Sequence, residues 1–407
     1  MKPNPPSTIS MRVPVPFKAP GMPVPFSPVI RDDVTVESLD AADWDRLTGG
    51  QPLLSHAFFL ALHASGCASK ATGWQPRFLT AWRDGVLAGA LPLYAKAHSY
   101  GEYVFDWGWA DAYRRHGRRY YPKLVAAVPF TPVPGPRLLA PDPGTRRALL
   151  DRARTLVAEG EYSSLHVLFV DEPAAAEGEA AGMIVRNGLQ FHWSNPGYRD
   201  FADFLSTFSH DKRKKVKQER RKLAEAGVTF VRKCGADITP ADWRFFYGCY
   251  ERTYRAHHST PYLTLDFFRR VGRTMPGNVM MVIGMRDGAP LCAALDVYDG
   301  DALWGRYWGT TDFVRGLHFE ACYYQAIEFC IERRIARFEG GAQGVHKLAR
   351  GLLPVPTQSL HEIGDPAFAA AIADYCAREG ADVAHTRDEL SEGSPYRAVE
   401  PVQDAAD

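Results

Sequence analysis

The sequence has no long apolar run. No segment of its 407 residues approaches the roughly 18 consecutive apolar residues of a membrane-spanning helix. The N-terminus also lacks the basic and then apolar pattern of an export leader. The sequence therefore predicts a cytoplasmic protein without a transmembrane segment.

Cysteine and excess charge are scarce as well. The seven cysteines form an odd number without any CxxC spacing, which argues against a disulfide framework or a zinc site. The 48 basic and 47 acidic residues leave a net charge of +1, so the chain as a whole is not built to bind nucleic acid or an anionic membrane. The length favours two or three domains.

Both ends have the composition of disordered tails. Prolines crowd the first 28 residues, which disfavours helix and predicts an extended tail over 1–30. The last segment, 388–407, is polar and acidic and predicts a second tail.

Between the tails, one pattern occurs twice. Segments 76–94 and 279–298 each predict a strand, an Asp-Gly turn and a second strand. Similar helical segments precede both hairpins, and a helix and a buried strand follow both. The sequence thus predicts two copies of one mixed-sheet α/β domain, over 31–195 and 196–387.

The segment 304–350 is the richest in chemistry. It mixes aromatic residues, His, Gln and charged residues with several glycines, unlike either a core segment or a solvated face. This mixture predicts a polar cleft where backbone approaches a ligand closely. For single residues a structural role is the alternative: Glu320 in a pair with an arginine, and His318 in the core.

A second polar cluster lies at 98–109 in the first copy. His98, Glu102, Asp106 and Trp109 are predicted to line a substrate groove, with the carboxylates holding an ammonium and a tryptophan adding a cation–π contact. A metal site is disfavoured because His98 would be its one nitrogen ligand, so no metal is predicted.

A basic run is the main electrostatic feature. Residues 211–226 predict a helix that carries Lys212, Arg213, Lys214 and Lys215 with few acidic partners one turn away. An anionic ligand such as tRNA would account for this imbalance. The alternative is an ordinary solvated helix face.

Several long segments have an unusual composition: 98–113, 120–139, 211–228, 305–309, 317–329 and 338–357. These segments resemble the FemAB-like group of predicted N-acyltransferases, relatives of the Fem-type aminoacyl transferases of peptidoglycan synthesis. The strand, turn, strand, helix, strand order also resembles the sheet core of GNAT acyltransferases. The resemblance covers about 35–385 and implies tandem GNAT-like domains that transfer an acyl or aminoacyl group to an amine.

The resemblance implies an activated donor, acyl-CoA or aminoacyl-tRNA, used as a co-substrate without a tightly bound cofactor. The segment 311–316 lacks the glycine spacing with which single-domain GNAT enzymes hold the coenzyme A pyrophosphate at a helix start. This absence favours aminoacyl-tRNA as the donor. The implied partners are an amine-bearing small molecule or peptide, and tRNA.

Acyl transfer to an amine requires a base and donors for the developing oxyanion. We assign Glu339, His346 and Lys347 as the catalytic candidates. A helical turn near Gly344 is predicted to align Gln343, His346, Lys347 and Arg350 on one face towards 98–109, and Glu339 is predicted to point towards that face from the strand end. The substrate-binding candidates are His98, Glu102, Asp106, Trp109, Arg306, Tyr307, His318, Glu320, Gln343 and Arg350.

Other classes of function compete with the enzyme. A tandem acyltransferase fold can lose its chemistry and persist as a peptide or sugar-peptide recognition module. A third hypothesis is RNA binding through 212–222 beside a vestigial cleft.

Overall fold

The computed structural model of the protein describes residues 28–32, 34–341 and 344–397, so most of the predicted N-terminal tail and Gln343 lie outside the described residues. The strands are β1 Val29–Arg31, β2 Trp74–Pro76, β3 Leu79–Arg83, β4 Val86–Leu91, β5 Leu93–Lys96, β6 Lys123–Ala126, β7 Ser164–Val170, β8 Ile184–Ser194, β9 Val228–Cys234, β10 Val279–Arg286, β11 Ala289–Tyr298, β12 Ala302–Thr310, β13 Arg337–Glu339 and β14 Leu353–Ile363. The helices are α1 Ala41–Asp45, α2 His56–Ala64, α3 Trp107–Arg115, α4 Pro143–Ala158, α5 Glu172–Ala180, α6 Phe201–Ser206, α7 His210–Glu225, α8 Pro240–Ala256, α9 Leu265–Thr274, α10 Leu317–Phe319, α11 Gln325–Arg333 and α12 Pro366–Glu392.

Eleven strands form one mixed sheet in the order β2-β5-β6-β7-β14-β8-β13-β12-β11-β10-β9, while β1, β3 and β4 form a small separate sheet. In the large sheet β6–β7 and β12–β13 are parallel, and the other pairs are antiparallel. The predicted mixed-sheet α/β class is therefore confirmed.

Both predicted hairpins are present. The turn residues Asp84, Gly85, Asp287 and Gly288 all have positive φ, between 51° and 80°. A two-residue turn of this kind matches the twist of the strands that it joins. The first hairpin consists of β3 and β4 and belongs to the small sheet. Pro92 separates β4 from the next strand, β5, which belongs to the large sheet.

The order of elements is the same in both halves. A meander leads into a helical segment, α4 in the first half and α10–α11 in the second, and then into a parallel strand, β7 or β13. The next strand of each half pairs with a strand of the other half: β8 pairs with β13, and β14 pairs with β7. The large sheet is thus continuous across residue 195, and the division there stays a prediction.

Two core clusters cover the opposite faces of the second half of the sheet. Along β11, Ala293 and Leu295 belong to one cluster, whereas Cys292 and Ala294 belong to the other, as the alternation of a strand requires. Aromatic residues of α2, α8 and α9 fill the first cluster, and α6, α7 and α11 contribute to the second.

Two elements differ from prediction. The helix predicted after the second hairpin contains a π-helical turn, Glu320–Tyr324, between α10 and α11. The C-terminal tail expected from 388 is wrong at its start, because α12 continues to Glu392 and Tyr396 is anchored beyond it. The Tyr396 hydroxyl donates to the Gly351 carbonyl at 2.8 Å, and its ring packs against Phe208.

Candidate functional site

A cavity lies where β12 and β13 separate. The two strands pair as far as Trp304 opposite Glu339, where β13 ends while β12 continues. Gly340 and Gly341, which follow β13, lie on the wall of a cavity of about 360 Å³. A site at the end of a strand in an open sheet is a common place for ligands.

The two sides of the cavity pack against different core clusters. Tyr103, Tyr254 and Tyr307 pack against the first core cluster, whereas Cys322 and Tyr323 belong with the second. Because these clusters cover opposite faces of the sheet, the cavity passes between the faces. The Tyr307 hydroxyl donates to the Phe130 carbonyl at 3.2 Å and so joins the two halves of the chain here.

A β-bulge places Arg306 in this cavity. Leu295 pairs with Tyr307 and Asp296 with Gly305, so Arg306 is the extra residue of β12. A bulge changes the direction of a side chain, and the half-buried Arg306 lies on the cavity wall. Its Nε and Nη2 are enclosed yet donate no hydrogen bond to a described residue. Such donors are costly without an acceptor, so they suit an oxygen of a ligand.

Asp296 is a site residue that the sequence analysis missed. It lines the cavity, is 1% exposed, and its enclosed Oδ2 accepts no hydrogen bond from a described residue. Burial raises the pKa of Asp296 well above its ordinary value, and the positive charge of Arg306 opposes this rise. A single carboxylate in the apolar strand LCAALDVY was the signal that could have revealed it.

Lys347 lies on another part of the wall, in the 3₁₀ helix Val345–Arg350. The side chain is 2% exposed, and its Nζ donates to the Gly341 carbonyl at 2.9 Å. Burial, and then the charge of Arg306, lowers the pKa of Lys347 to about 7. The predicted helical turn after Gly344 is thus present as a 3₁₀ helix.

The double glycine allows this close approach. A Cβ at Gly340 would lie 2.6 Å from Leu352 Cδ2 and 3.4 Å from Lys347 Cδ. Gly341 has φ +79°, and a Cβ there would lie 3.2 Å from the Gly305 carbonyl oxygen. Side chains at these positions would collide with the wall or narrow the cavity.

Two histidines of the cavity are held in the neutral form. His346 Nε2 lies 3.0 Å from the Tyr323 hydroxyl, and the His318 ring lies 4.7 Å from that of Trp308. Burial lowers the pKa of His318 to about 4 and also lowers that of His346, with Lys347 contributing to both. The structure therefore brings together His318, His346 and Lys347, as the sequence predicts.

Glu320 and Arg350 do not line the cavity. Both oxygens of Glu320 accept hydrogen bonds from Arg220, at 2.9 and 3.0 Å. Arg350 donates to Glu219 at 2.9 Å. These buried or half-buried pairs join α7 to the helices beside it. Glu320 is therefore paired with an arginine, which is the structural alternative that the sequence left open for it.

Glu339 lies behind the cavity wall. Its Oε1 accepts a hydrogen bond from Arg337 at 3.0 Å, and its Oε2 lies 4.0 Å from His192 Nε2. Burial raises the pKa of Glu339, while Arg337 and Arg306 oppose the rise. This carboxylate is thus an electrostatic neighbour of Arg306 and does not line the cavity.

The carboxylates predicted at 98–109 lie in a separate buried cluster. Lys123 Nζ donates to Glu102 at 2.8 Å, to Ser99 at 2.9 Å, and also to Asp106. Lys96 Nζ lies 3.8 Å from the second oxygen of Glu102. Both carboxylates thus have a lysine within 4.0 Å and neither lines the cavity, which contradicts the predicted groove that would hold a substrate ammonium.

His98 and Trp109 are also away from the cavity. His98 Nε2 contacts the Thr72 carbonyl at 3.0 Å, and the Trp109 ring packs in a small core cluster, edge-on to His361. Tyr103 is the residue of this segment that lines the cavity. Its backbone has φ 62°, which a loop tolerates more easily than a helix.

The basic run forms α7, as predicted. Lys212, Lys214 and Lys215 are exposed, and no described acidic residue lies within ion-pair distance of these three or of Arg213. A groove of about 470 Å³ on this helix is lined by His210, Arg213, Lys214, Lys217, Gln218 and Arg221.

The described residues contain no group of three His, Cys, Asp or Glu side chains that could hold a metal ion. Within the same part of the chain, every helix is too short or too polar to cross a bilayer.

One family model matches the chain. It is the FemAB-like model, described as peptidoglycan biosynthesis or recognition, and it covers residues 35–398. No curated protein matches the sequence.

Solved structures show distant similarity. FemX is 12% identical with a TM-score of 0.47, covering 73% of this chain and 90% of that one. L-PGS from Bacillus licheniformis is 10% identical with a TM-score of 0.47, covering 79% and 96%. A tandem GNAT protein from the clavulanic acid biosynthesis pathway is 12% identical with a TM-score of 0.44, covering 83% and 99%. Identities this low carry no information on substrate.

Proposed function

Because this chain belongs to the FemAB-like family, we propose that it is an N-acyltransferase that moves an acyl or aminoacyl group from an activated donor to an amine. The observation that carries the proposal is the guanidinium of Arg306. It presents enclosed N–H donors without acceptors among the described residues, in a cavity that also contains Lys347.

Arg306 would bind the carbonyl oxygen of the donor. When an amine attacks this carbonyl, the oxygen becomes an oxyanion, and a guanidinium already in place stabilises it without reorganisation. The bulge on β12 and the electrostatic contact with Glu339 would hold Arg306 ready for this role.

Lys347 would act on the leaving group. As the bond between the carbonyl carbon and the leaving group breaks, the Lys347 ammonium gives its proton to the departing atom. The proton that the new amide nitrogen loses restores the ammonium. A pKa of about 7 suits this exchange at neutral pH. His346, hydrogen-bonded to Tyr323, would help to move this proton.

The donor class follows from charge. The unpaired basic face of α7 favours a polyanion, so aminoacyl-tRNA is the proposed donor, with acyl-CoA as the second candidate. The acceptor would be an amine on a small molecule or peptide. No resident cofactor is required for this chemistry.

Purified protein should be incubated with charged tRNAs or acyl-CoAs and with amine acceptors, and amide formation followed by mass spectrometry. Arg306→Met should lower kcat about 100-fold or more, as loss of an oxyanion donor does in other enzymes. Arg286→Met is the matched control, because Arg286 forms an exposed pair with Asp312. Acceptor binding without donor consumption would instead identify a recognition module.

A further inference from the structure

Asp296 is a buried carboxylate without an ion pair among the described residues. It lies within an apolar strand, is 1% exposed, and has an enclosed oxygen without a hydrogen-bond donor. Buried carboxylates are normally paired or hydrogen-bonded, since an isolated one destabilises the fold. A buried, unpaired carboxylate that lines a cavity is a candidate functional group.

The surroundings of Asp296 define what would satisfy it. Arg306 is the described cation that acts on it electrostatically, yet no ion pair within 4.0 Å joins the two side chains in the described chain. The Cys322 thiol of the π-helical turn also lines the cavity and supplies no charge, because burial, and then the charge of Asp296, raises the thiol pKa. A ligand between Asp296 and Arg306 must therefore offer a donor to one and an acceptor to the other.

The two reactants of amine acylation have this character. The amine arrives as an ammonium with N–H donors, and the carbonyl oxygen becomes negatively charged when the nitrogen attacks. Asp296 matches the ammonium, and Arg306 matches the oxyanion. The contact with Arg306 strengthens as the oxyanion forms, so it lowers the barrier.

We propose that Asp296 is the acceptor site: it binds the ammonium of the amine substrate and accepts its proton. This inference rests on the proposed function. The ammonium gives one proton to the carboxylate, and the neutral nitrogen then forms the bond to the acyl carbon. The leaving group departs with the proton from Lys347, and the second proton that the nitrogen loses restores the Lys347 ammonium. The carboxylic acid of Asp296 later returns its own proton to solvent.

Burial supports this role. Burial raises the pKa of Asp296, so its carboxylate is a stronger base than an exposed one and draws the proton from an ammonium more readily.

Asp296→Asn tests the proposal. For an alkylamine acceptor, which arrives protonated, we expect kcat/KM to fall about 100-fold or more. For hydroxylamine, which is already neutral at the assay pH, the loss should be much smaller. Asp301→Asn is the matched control, since Asp301 is an exposed carboxylate in the turn of the same β11–β12 hairpin. Equal losses with both acceptors would overturn the proposal.

A chemical rescue provides a second variant. In Asp296→Ala, added formate should restore part of the alkylamine activity and leave the hydroxylamine activity unchanged. A folded Ala variant without rescue, together with equal losses for the Asn variant, would contradict a proton-accepting carboxylate.

Binding separates this inference from the proposed function. If the wild-type protein transfers no acyl group from any donor, the proposed function fails, but alkylammonium binding can still be measured by calorimetry. Weaker binding by Asp296→Asn than by Asp301→Asn would support the ammonium site. Equal binding by the two variants would reject it.

Discussion

Each half of the chain contains a buried cluster of charges, and the two clusters differ in pairing. In the first half, Lys123 contacts Glu102 and Asp106, and Lys96 lies 3.8 Å from Glu102. In the second half, the cavity side chain Asp296 has no described ion-pair partner within 4.0 Å.

The difference in pairing distinguishes charged residues with a structural role from charged residues that could bind a ligand. Ion pairs in the first cluster offset the cost of burying its charges. Glu102 Oε1 and Asp106 Oδ1 also accept no hydrogen bond from a described residue, but both carboxylates have a lysine within 4.0 Å, whereas Asp296 has no described cation within that distance. A substrate could supply the partner that Asp296 lacks. We therefore interpret the 98–109 carboxylates as structural and the cavity residues as the site.

The largest expected effect comes from unbalancing the first cluster. Lys123→Met leaves two buried carboxylates short of a cation, and removing one partner of a buried pair typically costs roughly 3–5 kcal/mol. Urea unfolding should report a loss of this size. Arg114→Met, which removes an exposed partner of Asp111, is the control and should cost under about 1 kcal/mol. A loss for Lys123→Met no larger than the control's would erase the contrast between the clusters.

The sequence could not distinguish these clusters. Glu102 and Asp106 look like site residues in the chain, and their cations, Lys96 and Lys123, come from β5 and β6. Pairing across strands depends on register, which no local pattern specifies. Glu320 was misplaced for the same reason, since its partner Arg220 is on α7.

Other parts were accessible from sequence. The two Asp-Gly turns determined both hairpins, because their residues adopt positive φ easily. The double glycine before Lys347 correctly marked a close approach to the cavity. Two features of the cavity were not predicted. One is the bulge that places Arg306 on the cavity wall, since a bulge has no signature in the sequence WGRYWG, and the other is the buried Asp296 of β11.

The second effect concerns Lys347. Lys347→Met should lower kcat about 100-fold while the protein stays folded, because the variant keeps the volume and removes a costly buried charge. Lys233→Met, which removes a half-buried lysine paired with Asp242 outside the cavity, is the control. Matched losses of activity in the two variants would contradict a specific role for Lys347.

The stability of the same variant has a predicted pH dependence. The pKa of Lys347 is about 7 in the folded chain, below its ordinary 10.5, so the unfolded chain binds more protons between these values. Lys347 should therefore contribute a rise in wild-type stability through this range, and Lys347→Met should remove that contribution. Unfolding curves at several pH values would show parallel profiles if Lys347 were instead charged in the fold.

The smallest effect concerns the charges of α7, which are unpaired like Asp296 but exposed. It tests whether unpaired charges indicate function when they are not buried. Exposed charges cost little without partners, so lack of pairing alone does not mark them as functional. If they bind tRNA, replacing Lys212, Arg213, Lys214 and Lys215 with Gln should reduce the slope of log affinity against log salt by roughly 3 to 4, one unit or slightly less for each phosphate contact. The control replaces Arg114, Arg115, Arg118 and Arg119, four exposed cations of the first half, so the net charge change is the same. If both quadruple variants reduce the slope equally, attraction to α7 is non-specific, and the helix is a solvated face with no part in donor binding.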